Sequence, residues 1–356
     1  MLTTKGINIL LYVLYINFDI LSIAFCDIFI ITQFFISIPS RYFINSLART
    51  FFLCYNILVK SKKEITKKMK TSTEIFSISK LVGYEKAIEL IAKAGFDAWD
   101  LSMFDMARLV PGTLDIRDSD CPFRADNYAQ FVKQLRRIGE DCGIHCNQSH
   151  APFPSRGEKM MYYIKRAIEC TAIAGGEICI IHPDNNKNAE ENAEMYFELL
   201  PFAKEYGVKI ATENMWNWDK ENNHAKVAAC SHHDDFKSHI KAVNDPYLVA
   251  CLDIGHAAMK GLDTSVKDMI LTLGDDLKAL HIHDNDLWHD SHAIPGSMGI
   301  DFDEMVNCLH QIGYNGYFTL ECDTHSNKFT TETAFDCAKE LSTAARQLAD
   351  KFESLN

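Results

Sequence analysis

From about residue 74 onward the chain alternates between short apolar runs and longer stretches of helical period. The apolar runs, at about 74–79, 96–102, 144–149, 177–182, 208–213, 248–253, 277–283 and 317–322, have the length and composition of buried strands. Between them, apolar positions recur every three to four residues. Tyr84 to Ala94 aligns Ala87, Ile88, Ile91 and Ala92, and Asn127 to Cys142 aligns Phe131, Leu135 and Ile138. The same period runs through Glu158–Ala174, Ala189–Tyr206, Phe236–Val243, Thr264–Leu273, Phe302–Ile312 and Thr331–Phe352. Gly95, Gly143, Gly175, Gly207 and Gly313 stand just past predicted helix ends. Eight strand–helix units in a row predict an α/β fold, a (β/α)8 TIM barrel. An open doubly wound sheet would carry a glycine-rich phosphate turn after its first strand, and Phe76-Ser77-Ile78-Ser79-Lys80 has none.

Residues 1–70 read differently. Ile7 to Ile38 is rich in Ile, Leu, Phe and Tyr, and a basic patch of Lys60, Lys62, Lys63, Lys67, Lys68 and Lys70 follows. A membrane anchor with its positive flank inside is one reading. Asp19 and Asp27 within the run count against it, and no small-residue cleavage site suggests a signal peptide. Translation starting at Met69 is the favoured reading, ahead of an anchor and of a partner-bound arm. The expected organisation is an N-terminal extension over 1–70 and a catalytic domain over 71–356.

Charge sharpens the division. Residues 1–70 carry nine Lys/Arg and three Asp/Glu, a net of +6; the whole chain carries −12, so residues 71–356 carry −18. An acidic domain disfavours a nucleic-acid partner, which needs a basic face. Twelve cysteines without a CxxC pair suit reduced thiols and a cytoplasmic location.

Candidate chemistry gathers where the strands end. Strand three runs into His150, strand four into His182, strand five into Glu213, strand six into Asp253 with His256, and strand eight into Glu321. Strand seven runs into Leu280-His281-Ile282-His283-Asp284-Asn285-Asp286, with Asp290-Ser291-His292 close behind. A lone strand-end histidine is ordinarily a satisfied polar residue, and a lone glutamate a solvated rim charge. Six such endings on consecutive strands call for a common cause. A barrel whose C-terminal strand ends converge on one divalent metal centre supplies it.

The run of His-Ala-Pro (150–152), His-Pro (182–183), Glu-Asn (213–214), Asp-x-Gly-His (253–256), His-x-His-Asp-Asn-Asp (281–286), Asp-x-His (290–292) and Leu-Glu (320–321) resembles the xylose isomerase-like TIM barrel superfamily. More narrowly it resembles the sugar phosphate isomerase/epimerase members, over residues 74 to about 350. The resemblance implies one divalent ion, Mn²⁺, Mg²⁺ or Co²⁺, held by Glu213, Asp253, His281 and Glu321. His283 is an alternative to His281, because the two lie on one side of a strand. It further implies that Glu213 and Glu321 move a proton α to a carbonyl through an enediolate, and that His256 contacts a substrate oxygen. His150, His182, His283, Asp290 and His292 would line the pocket, with Trp216 and Trp218 as its wall. The implied partner is a small sugar or polyol. An unphosphorylated ketose fits the acidic domain slightly better, although Arg108 and Arg117 in the loop at about 103–124 could cradle a phosphate. Assembly as dimers or tetramers would make the protein a homo-oligomer.

Two alternatives share the motifs. Endonuclease IV, a trinuclear-zinc phosphodiesterase acting at abasic DNA sites, finds matches for its ligands in His150, His182, Glu213, Asp253, His256, His281, Asp290, His292 and Glu321. The net −18 and the acidic, amide-rich Pro183-Asp184-Asn185-Asn186 weigh against it. A lyase acting on 3-oxo glycosides would use the same proton abstraction.

Overall fold

The computed structural model describes residues 68–355. The membrane-anchor and late-start readings of the N-terminal extension therefore fall almost wholly outside the described residues. Among those described, no helix is long and apolar enough to cross a membrane.

Eight parallel strands form the barrel. They are β1 (Lys70–Thr73), β2 (Ala98–Ser102), β3 (His145–His150), β4 (Ile178–Ile180), β5 (Lys209–Glu213), β8 (Leu248–Asp253), β9 (Leu277–His281) and β10 (Tyr317–Leu320). β2-β3-β4-β5-β8-β9 pair in that order, and β1 pairs with β10. Parallel bridges Glu74–Asp100 and Ile282–Leu320 join the two sheets on both sides and complete the ring. Two short strands, β6 (Asn217–Asp219) and β7 (His224–Lys226), make an antiparallel hairpin in the loop after β5.

The helices are α1 (Phe76–Val82), α2 (Tyr84–Ala94), α3 (Tyr128–Asp141), α4 (Glu158–Ala174), α5 (Ala189–Tyr206), α6 (His233–Val243), α7 (Ile254–Ala258), α8 (Val266–Leu273), α9 (Phe302–Gln311) and α10 (Ala334–Glu353). α2, α4 and α5 each end on a glycine in the left-handed region, Gly95, Gly175 and Gly207. Helices and strands bury Trp99, Leu101, Ile181, Ile210, Leu252, Leu280 and Phe318 between them in one continuous core.

The first strand is a correction. The expected strand at 74–79 is helix α1, and the strand lies four residues earlier. The alternation Phe76/Ile78 with Ser77/Ser79 imitates a strand, but Phe76, Ser77 and Ile78 are all buried, and the Glu74 carboxylate accepts the Ser77 N–H at 3.0 Å to begin the helix. β1 itself, Lys-Thr-Ser-Thr, escapes an apolar criterion because one side of the barrel interior is polar. Ser72 donates to Asn147 at 2.6 Å, Asn147 to Thr319 at 3.2 Å, and Gln148 to Asp100 at 2.9 Å. The other side of the interior is a small apolar plug of Ile180, Ala211, Val249, Cys251 and Ala279. The two-residue period of a strand then carries the positions above that plug to the same inner face: Ala211 leads to Glu213, Cys251 to Asp253 and Ala279 to His281.

Candidate active site

The inward residues meet at the C-terminal mouth of the barrel, where the predicted ligands, the pocket histidines, Asp290 and Trp216 lie. Glu213 Oε2 lies 2.9 Å from His182 Nε2 and 3.5 Å from His150 Nε2, and Glu213 Oε1 lies 2.7 Å from His281 Nδ1. His281 Nδ1 is also 3.4 Å from Glu321 Oε2. A second group stands beside it. His283 Nε2 is 3.1 Å from Asp253 Oδ1 and 3.5 Å from Asp290 Oδ1, while Asp290 also meets His256 Nε2 and His292 Nε2, each at 3.2 Å. Glu213, Asp253, His281 and His283 are almost wholly buried.

The two strand-seven histidines are used differently. His281 Nδ1 is hydrogen-bonded to Glu213, while Asp100 Oδ2 lies 3.4 Å from Nε2 without a hydrogen bond. His283, one pleat further, points its Nε2 at Asp253. Four imidazoles share that second habit. His150 Nδ1 donates to the Ala151 carbonyl at 2.8 Å, His256 Nδ1 to Asn214 at 2.8 Å, His292 Nδ1 to Glu321 at 2.8 Å, and His283 Nδ1 to Asp284 at 3.4 Å. A backbone carbonyl that accepts Nδ1–H leaves the Nε2 lone pair turned into the site, which is how metal-binding imidazoles are held.

The donor set fits a divalent cation. Asp253 Oδ2, Asp290 Oδ1 and His283 Nε2 are buried and have no hydrogen-bond partner. His283 Nε2 and Asp253 Oδ1 are close without hydrogen-bond geometry, so proximity there is not a satisfied contact. Buried carboxylate and imidazole atoms left open at one spot are costly unless an ion draws them together. Oxygen and imidazole donors suit Mn²⁺, Co²⁺, Mg²⁺ or Zn²⁺.

Electrostatics separates the two glutamates. Burial opposes the charge on Glu213, but His281 and hydrogen bonds from His150, His182 and His281 outweigh it and hold the carboxyl well below its usual range. Burial, reinforced by Glu213 and Asp253, pushes Glu321 up to about 8 against the pull of His281 and His292. Burial and the neighbouring His150 lower His182 to about 4. Burial works against a proton on His256, yet Asp253 and Asp290 raise it to about 10.

Several supporting residues carry no sequence signal of their role. Asp284, which reads as one more acidic ligand, spends both oxygens on backbone. Oδ2 accepts from Gly296 N (3.0 Å) and Met298 N (2.8 Å), and Oδ1 from Gly299 N and Ile300 N (3.1 Å each) and from Asn285 N (2.9 Å). Those bonds fold the loop that carries Asp290 and His292. Asn214 clamps the Asp253 backbone, accepting its N–H at 2.8 Å and donating to its carbonyl at 2.9 Å. Trp216 lines the cavity and donates Nε1–H to Asp290 Oδ2 at 3.3 Å; Trp218 instead stacks on His289. The cavity over the site measures about 430 Å³ and is walled by Phe76, Phe104, Phe153 and Trp216. Arg108 lines it, while Arg117 lines an adjoining cavity.

The family model for the xylose isomerase-like TIM barrel matches residues 88–349. An uncharacterised protein of Methanocaldococcus jannaschii is 24% identical over 288 residues, 74% of this chain and 89% of that protein. Fructoselysine 3-epimerase of Escherichia coli O157:H7 is 28% identical over 132 residues, 37% of this chain and 45% of the epimerase. Among solved structures, the IolI protein with a bound zinc atom superposes with a TM-score of 0.60 at 18% identity, over 80% of this chain and 99% of that one. The chain belongs to the xylose isomerase-like TIM barrel family.

Proposed function

We propose that the protein is a divalent-metal-dependent isomerase or epimerase of a sugar or related polyol. The observation that carries this reading is the Glu213–Glu321 pair. Both carboxyls flank His281 Nδ1 in one small cavity. Two carboxyls so placed can take up and return a proton at a single carbon. The partial match to fructoselysine 3-epimerase supports the same reaction class.

Glu213, Asp253, His283 and Glu321 would hold the ion, with His283 favoured over His281 because its Nδ1 rests on a backbone carbonyl while His281 Nδ1 is bound to Glu213. When bound, the ion supplies Lewis-acid polarisation of the substrate oxygens beside the reacting carbon. Glu213, ionised, takes the proton α to the carbonyl at a carboxylate oxygen; Glu321 returns one from the other side. His281 stays between Asp100 and the two glutamates, a strut that balances their charge. His256 donates to a substrate oxygen. Phe104, Phe153 and Trp216 exclude water while negative charge develops on the substrate.

The endonuclease IV-like reading has a specific observation in its favour. His150, His182 and Glu213 form one potential metal group, and His256, His283, Asp290 and His292 another. Against it stand the net −18 of residues 71–356 and a cavity of the size that encloses a small molecule. Elemental mass spectrometry of protein purified without chelator decides between them. About one equivalent of ion, with turnover of a ketose, fits the isomerase. About three equivalents of zinc, with cleavage of an abasic-site duplex, would replace it.

A further inference from the structure

We infer that the sugar this site accepts carries a terminal phosphate, read by Lys80 with Arg108 and Arg156. The inference rests on the same cavity being the substrate site.

The cavity is electrically divided. Its Lys and Arg residues are Lys80, Arg108 and Arg156, and they come from the segments after β1, β2 and β3. Its carboxylates near the reacting centre, Glu213, Asp290, Glu321 and Asp323, come from β5 and from the segments after β9 and β10. A substrate whose carbonyl end faces the carboxylates therefore presents its far end to three cations. The domain's net charge, which alone favours a neutral sugar, does not describe this wall.

Two of the cations have protein partners. Arg108 Nε pairs with Asp105 at 2.6 Å and Arg156 Nε with Asp184 at 3.2 Å. Those pairs orient each guanidinium at the rim. Lys80 differs. Its Nζ lies 4.0 Å from the Phe76 ring centroid and pairs with no carboxylate among the described residues. Phe76 and Lys80 are one turn apart on α1, so the ring that walls the cavity also holds the amine at its edge. A cation with an aromatic support and no counter-charge, facing a cavity, is suited to an incoming anion. A dianionic phosphate monoester matches three cations lining one cavity better than a monoanion does.

The test is equilibrium binding to the full chain, with intrinsic tryptophan fluorescence as the signal and two unreactive probes, glucitol and glucitol 6-phosphate. Glucitol 6-phosphate should bind at least about tenfold more tightly, and the preference should shrink as salt is raised. Lys80→Met should collapse the ratio, and Lys80→Arg should keep most of it. Equal binding of the two probes, binding of neither, or a preference that survives Lys80→Met overturns the inference. Because neither probe reacts, such a result leaves the isomerase reading to be judged separately by turnover of ketoses.

Discussion

The ring of His283 occupies the space that a side chain at position 255 would need: a Cβ on Gly255 would lie 1.9 Å from His283 Cε1 and 2.3 Å from Nε2. The glycine of Asp-x-Gly-His is thus tied to the second histidine of His-x-His, 28 positions later. Asn285 fastens the same contact by donating to the Gly255 carbonyl at 2.8 Å. Gly255→Ala should displace His283 and lower metal affinity about 10–100-fold, the cost typical of disturbing a ligand's support. Titration with Mn²⁺ or Zn²⁺ checks this; unchanged affinity would remove His283 from the metal site.

Asp284 should behave as an organiser of the loop rather than as a ligand. Asp284→Asn turns one of its two acceptor oxygens into a donor facing backbone N–H groups. A loss of about 2–4 kcal/mol is expected for a buried charge-assisted network of this kind. Hydrogen exchange should speed up at residues 296–300. Protection that persists there would contradict the role.

Metal binding should release protons. Below its raised pKa of about 8, Glu321 holds a proton that an incoming ion must displace. Apparent affinity should therefore rise with pH up to about 8, with a proton yield measurable by calorimetry in buffers of different ionisation enthalpy. Stability of the metal-free protein follows the opposite sign for Glu321. Its folded pKa exceeds the unfolded 4.5, so the folded state binds more protons between about 4.5 and 8, and this group lowers stability as pH rises through that window. Proton-independent binding would show that Glu321 gives up no proton to the ion.

How much of this was legible in the chain depends on what each residue does. The strand-end ligands could be read because strand period two puts Glu213, Asp253 and His281 above an apolar plug, and polarity at the end of an apolar run is a local signal. β1 could not, since Ser72 and the threonines beside it face a polar barrel interior and α1 copies a strand's alternation. His281 and His283 share one face, and only the carboxylates of other strands, Asp100 and Asp253, tell them apart. Asp284 and Lys80 owe their roles to neighbours brought by the fold: the backbone of residues 285–300 in one case, the cavity wall in the other.

The most direct test of the account is solvent deuterium incorporation at the carbon α to the carbonyl of a ketose or ketose phosphate, followed by NMR with metal-loaded protein in D2O. Exchange at that carbon, with inversion for an epimerase or carbonyl transfer for an isomerase, is predicted for the wild type, together with a loss of at least about 100-fold in both Glu213→Gln and Glu321→Gln. Exchange that survives both substitutions, or its absence across ketoses together with cleavage of an abasic-site duplex, would contradict it.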